Sequence, residues 1–160
     1  MNTVTKALGF AALSLSLALG TGCARPFDVR TAPGFIELEG QKSEGYDYRA
    51  TSPEGVVFAI KVVPDEDRGD LDFWLRTLTL KLRDEMGYAV IGTEDVTSLD
   101  GAKGKTLKLG HDEGGKPYDY WVTVFIANKR VFLVEAGAPR DLMEKAKPNV
   151  AWMLKSVRFK

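Results

Sequence analysis

One cysteine and one histidine among 160 residues leave this chain almost without the side chains from which most metal sites and many catalytic centres are built. A single cysteine excludes an internal disulfide. One histidine with no free thiol to join it is a thin inventory for zinc, which gathers three or four strong ligands. Charge of one sign is missing as well: 22 Lys+Arg face 22 Asp+Glu, so no field draws the chain to nucleic acid. The longest apolar run, Ala7 to Leu19, is about 13 residues and carries Gly9, Ser14 and Ser16, short of the ~20 that a membrane-spanning helix requires.

That run nevertheless has a recognisable setting. Lys6 precedes it and the small residues Gly20-Thr21-Gly22 follow, which is the layout of a secretory signal and assigns residues 1–22 to a signal peptide. The exit resembles the lipobox of bacterial lipoprotein precursors, in which Leu, a small residue and Gly or Ala precede Cys. Gly22 and Cys23 match and Thr21 is small, whereas Gly20 stands where Leu is usual. Ordinary signal cleavage is the alternative, because Gly20 and Gly22 also satisfy the small-x-small rule and would yield a soluble periplasmic or secreted protein. A lone thiol in an oxidising compartment is a liability that lipidation removes. The resemblance therefore implies acylation of Cys23, with palmitate among the chains. It also implies a membrane partner reached through that lipid, and a place in the cell envelope. Ala24 rather than Asp after the cysteine implies the outer membrane, facing the periplasm.

Without Lys6 the mature chain has 21 basic residues against 22 acidic ones, and its length is that of one domain. Residues 23–34, with Pro26 and Pro33 and few apolar side chains, read as a lipidated N-terminus and tether that reaches about 36–40 Å when extended. The folded domain is expected over residues 35–160.

Within it, Phe35 to Leu38, Tyr46 to Thr51 and Val56 to Val63 read as strands, the last two joined through Ser52-Pro53-Glu54-Gly55, which suits a type I turn. Leu71, Leu75, Leu78 and Leu82 mark a helix from Leu71 to Met86, with Asp70 as N-cap and Gly87 as its stop. Tyr88 to Ser98 returns to strand, and Leu107 and Leu109 alternate with polar residues in the next. A loop is expected over His111 to Pro117, then a hairpin of Tyr118 to Ala127 and Arg130 to Ala136 about Asn128-Lys129. Leu142, Ala146, Val150, Met153 and Val157 form a helical stripe that Pro148 should kink or split. The fold class is α+β: an antiparallel sheet of about six or seven strands with helices packed on its faces.

This order of elements, closing on Asp141 to Lys155 and a short Ser156-Val157-Arg158-Phe159 end, resembles the PsbP-like superfamily of α/β/α sandwiches, whose bacterial members include lipoproteins of the DcrB and LpqN type. The resemblance covers residues 35–159 and rests on patterning. It implies a non-enzymatic binding or accessory domain with an envelope protein as partner, and it carries over no functional residues and no cofactor.

Local motifs add little chemistry. Leu99 to Thr106 is one glycine short of a phosphate-binding loop, and a strand rather than a helix follows it. Asp65 and Asp67 start like a calcium loop, but Arg76 stands where the bidentate acid belongs. His111-Asp112-Glu113 offers one imidazole and two carboxylates, read as an exposed loop, and no serine has a nucleophile's setting. The side chains best suited to line a ligand or partner cleft are Trp74, Tyr118, Tyr120, Trp121 and Trp152, with sheet core as the competing role of Tyr120 and Trp121. Three functions remain open: a tethered envelope protein that binds another protein, a carrier or sensor of a small apolar ligand or lipid, and an envelope hydrolase. A filled core favours the first and an open apolar cavity the second.

Overall fold

The computed structural model describes residues 25–39, 45–66 and 68–160; the expected signal peptide and Cys23 lie outside them. Short strands β1 (Phe27–Asp28) and β2 (Ile36–Glu37) lead into β3 (Tyr48–Thr51) and β4 (Val57–Pro64). Helix α1 (Leu71–Leu80) runs on into a π-helical turn (Lys81–Glu85), and strands β5 (Ala89–Thr97), β6 (Lys103–Glu113), β7 (Lys116–Ala127) and β8 (Arg130–Pro139) follow. Helix α2 (Arg140–Lys155) and β9 (Arg158–Phe159) close the chain. The main sheet has seven antiparallel strands in the order β2-β3-β4-β8-β7-β6-β5, and β1 pairs with β9 in a small second sheet. The α+β expectation with six or seven strands is met.

Alternation along the central strands sorts the core into two layers. Phe58, Ile60, Phe125, Phe132 and Val134 face α2 and its buried Met143, Val150 and Met153. Leu107, Leu109, Val122, Val124 and Val131 face α1 and its Leu75, with Leu82 from the π-helical turn. Strands apolar on both faces are what a sheet covered on both sides demands. Seven strands spaced about 4.8 Å apart make a sheet about 29 Å wide, whereas one helix is about 10 Å across. A single helix per face therefore leaves parts of each face open, and grooves remain beside both.

Local chemistry fixes the ends of these elements. Asp70 caps α1 by accepting the Phe73 N–H at 2.8 Å, as its position predicts. Asn128 and Lys129 both sit at positive φ, as do Gly114 and Gly115, so both hairpins turn on two left-handed residues. The second of these corrects the loop expected over His111 to Pro117: β6 and β7 run almost to the glycines and pair through Glu113 and Lys116. Nor does Pro148 divide the C-terminal helix. It lies exposed on the solvent side of a continuous α2, where the missing N–H and the ring's crowding fall outside the packed stripe.

The expected tether needs a larger correction. Phe27 and Ala32 are 1% and 2% exposed, and Phe27 packs edge-on against Phe132 with centroids 6.2 Å apart. The Arg30 N–H donates to Ser156 Oγ at 2.9 Å, and the Lys160 N–H to the Pro26 carbonyl at 3.0 Å. Residues 26–34 are thus part of the fold, which starts before Phe35. With only two large apolar side chains, Phe27 and Val29, spread among prolines and polar residues, the segment has no strand alternation of its own, and its order comes from docking. Phe27→Ala should lower stability by about 3–5 kcal/mol, while Trp152→Ala, on the solvent side of α2, should cost less than about 1 kcal/mol. Guanidinium midpoints of the two variants check this; equal, small shifts would mean the segment is not docked.

Candidate functional site

Helix α1 lies over β6 and β7 and reaches Val131 of β8, but leaves the stretch of β3, β4 and β8 around Arg49, Ala59 and Glu135 open on the same face. Register brings two rows of side chains together there. Arg49 pairs across to Ala59 and Ala59 to Glu135; two residues along, Val57 pairs with Gly137 and Gly137 with Tyr120. Ala59 and Gly137 keep the floor low between taller walls. A methyl group at position 137 would fill the space up to van der Waals contact with the Tyr120 ring at 3.4 Å and the Tyr118 ring at 3.7 Å. The result is a groove of about 230 Å³ lined by Tyr46, Arg49, Tyr118, Tyr120 and Glu135 above those small residues.

Glu135 is its electrostatic centre. The Tyr46 phenol donates to Glu135 Oε2 at 2.6 Å, and Tyr120 is hydrogen-bonded to the same carboxylate. Burial, followed by the charge and hydrogen bonding of Glu135, pushes the Tyr120 phenol far above its ordinary range. Burial also raises Tyr118, with Glu113 and Tyr88 adding to it. The Tyr88 ring stacks at 5.4 Å from Tyr120 and 5.1 Å from His111, and the Arg49 guanidinium lies 5.9 Å from the Tyr46 centroid. Four of the five tyrosines, all but Tyr48, thus gather on one face around one carboxylate. Two phenols spend their protons on Glu135, which leaves their oxygens as acceptors. Such a surface suits binding by stacking and by accepting hydrogen bonds. Among the described residues no three His, Cys, Asp or Glu side chains come together as a metal site.

Of the five aromatics singled out in the sequence, only Tyr118 and Tyr120 meet in this groove. The Trp74 indole N–H donates to Asp65 Oδ1 at 3.2 Å and ties α1 to the loop before it. Trp121 points to the opposite face, where Lys108 Nζ sits 4.8 Å above its ring and pairs with Glu94. It lines a second groove of about 500 Å³, beside Val96, Ala151, Leu154 and Lys155 of β5 and α2. Trp152 is 45% exposed on the outside of α2. His111 is half-buried in β6 and stacked on Tyr88 rather than placed in an exposed loop. Tyr46, Tyr88 and Glu135 escaped the sequence reading. The available signal was Glu135 itself, a lone acid in the otherwise apolar run Val131 to Ala138 of a central strand.

No family model and no curated protein sequence matches this chain. Solved structures do. Cyanobacterial PsbP (CyanoP) from Synechocystis aligns with a TM-score of 0.59 at 12% identity, over 91% of this chain and 99% of that one. LpqN, involved in cell envelope biogenesis of Mycobacterium tuberculosis, aligns with a TM-score of 0.63 at 12% identity, over 84% and 83%. A Pseudomonas aeruginosa protein of unknown function aligns with a TM-score of 0.52 at 8% identity, over 87% and 88%. The fold is PsbP-like, as the element order suggested.

The tyrosine environments predict the alkaline behaviour. A phenol whose folded pKa is raised above its ordinary value of 10.0 favours the folded state below that pH, and the advantage is lost as pH rises toward the folded value. Stability should therefore fall above about pH 10, and part of the tyrosine absorbance change should appear only on unfolding. Tyr120→Phe should flatten the fall in a pH series of urea midpoints. An unchanged slope would mean Tyr120 is not held neutral by its surroundings.

Proposed function

We propose that this chain is an accessory protein of the bacterial cell envelope, held to a membrane through lipid on Cys23, whose folded domain binds a partner through the groove around Glu135. The observation that carries the binding reading is the combination of a filled core with an open, tyrosine-lined surface. Beneath α2 at Phe58, Trp121 and Val150 the gap is only about 10 Å³, and the two larger clefts of about 500 Å³ along α2 open to the surface, as does the Glu135 groove. The expected carrier or sensor role calls for an apolar cavity and has less support than a surface that meets another molecule from outside. The place in the envelope is supported by the export signal ending at Cys23 and by a fold shared with LpqN, a protein involved in cell envelope biogenesis. No described helix is long and apolar enough to cross a membrane, which is consistent with attachment from one side.

The chemistry favours binding over turnover. Glu135, the acid of the groove, accepts from the Tyr46 and Tyr120 phenols, and no serine, threonine or histidine lines the groove to act as nucleophile or base. This domain is read as non-catalytic.

Two measurements test the proposal. The N-terminal peptide from cells should carry a diacylglyceryl and an acyl group on Cys23, and the protein should float with membranes while Cys23→Ala does not; an unmodified, soluble wild type would contradict the anchor. A photo-crosslinking amino acid in place of Tyr118 should capture a discrete adduct in the native envelope. Glu135→Lys should abolish that adduct, and a crosslinker in place of Thr79 on α1 should give none. Adducts insensitive to Glu135→Lys would rule the groove out as the binding surface.

A further inference from the structure

We infer that, once anchored, the domain lies directly on the bilayer, with the edge that carries β1, β9 and the turns at Leu99–Gly101 and Asn128–Arg130 against the lipid headgroups. This rests on the lipid at Cys23 proposed above, and the length of chain between the anchor and the fold is what compels it. Phe27, buried and paired with Phe159, lies four residues after Cys23, so at most about 13–14 Å of extended chain separates the acylated sulfur's residue from the core. The slack is shorter still. The Pro26 carbonyl accepts the Lys160 N–H, and Arg25 pairs with Glu37 and stacks 5.4 Å from the Tyr48 ring, which leaves two residue steps, about 7 Å, beyond Arg25. A lipid buried in the hydrocarbon must then draw this edge into the headgroup layer.

The edge is built as one unit. Asn128 Nδ2 donates to the Lys160 carbonyl at 2.6 Å and the Leu99 N–H to the Val157 carbonyl at 2.9 Å, so both turns are tied to the strand that pairs with the N-terminal segment. Leu99 is 57% exposed at one tip, an apolar side chain with no core to enter. Lys129, Arg130, Arg158 and Lys160 are exposed around it. The acids among them are Asp28, paired with Lys160 at 2.6 Å, and Asp100, whose carboxylate accepts from Ser98 Oγ and the Phe159 N–H. On the α1 side the balance reverses: Asp65 and Glu66 follow β4, with the Asp65 N–H donating to the Lys129 carbonyl. The exposed cations of the edge, Lys129, Arg130, Arg158 and Lys160, are the groups that meet anionic phosphate. At the opposite end, the Gly114-Gly115 and Ser52–Gly55 turns face the aqueous compartment, and Tyr118 opens the Glu135 groove in that direction.

The experiment uses the full lipidated chain in vesicles of phosphatidylcholine with a minority of phosphatidylglycerol. Cys23 is consumed by acylation, so single cysteines introduced as Leu99→Cys and Glu113→Cys accept a fluorophore selectively. Nitroxide lipids carrying the quencher at the headgroup should quench the probe at residue 99 several-fold more than the probe at 113. Equal quenching, with the protein still floating with vesicles, would overturn the orientation and leave the anchor standing. A protein that does not float and carries an unmodified Cys23 would remove the anchor and the orientation together. Lys129→Glu, Arg130→Glu and Lys160→Glu combined should reduce the contrast between the two probes without affecting flotation; an unchanged contrast would refute the electrostatic part. Circular dichroism identical to wild type verifies that this variant is folded.

Discussion

A seven-stranded sheet is roughly three helix diameters wide, and this chain supplies one helix for each face. The open grooves of the molecule follow from that mismatch. The central strands β4, β8, β7 and β6 are buried well enough to hold two apolar layers, while the margins of each face stay open. On the α1 face the uncovered margin becomes the Glu135 groove; on the α2 face it becomes the groove over Trp121. The N-terminal segment and β9 answer the same need for cover, laying Phe27 and Phe159 over Phe132 where α2 does not reach. A segment free of such a demand would remain a linker; here the exposed core recruits it.

The tyrosine cluster shows how a polar group is kept in a sheet. Glu135 sits in a central strand where an unpaired carboxylate would be costly, and two phenols make the position tolerable by donating to it. The arrangement in turn raises the Tyr120 phenol and holds it neutral. Its small floor residues, Ala59 and Gly137, leave that pair accessible from outside. A polar cluster serving only the fold would need no such opening, which is why the groove and not the buried Thr106–Thr123 hydroxyl pair is the place to look for a partner.

Much of the fold was legible because its signals are local. Leucines at helical spacing, the Asp70 cap, Gly87 and the two-sided apolar strands each report on a few consecutive residues, and each appears where expected. The errors fell where long-range contacts decide. Pro148 looks disruptive until α2 turns it to solvent. His111 to Pro117 reads as polar loop until the facing strand supplies its hydrogen bonds. The Pro-containing segment before Phe35 looks like a tether until a core appears for Phe27 to enter. Tyr120 and Trp121, by contrast, are separated by strand alternation, a local rule that sends neighbours to opposite faces.

By itself the sequence determined the element order, the apolar periodicity and the place of the sole cysteine after a short apolar run, since these need no information beyond neighbouring residues. The tertiary structure alone decided that Tyr46, Tyr118 and Tyr120 would line one groove with Glu135, with Tyr88 stacked behind Tyr120, and that the fold would begin so close to Cys23. Both depend on strand register and on docking between residues up to about 130 positions apart. Those pairings are set by which apolar surface is left uncovered once the sheet has formed, a property that no local pattern encodes.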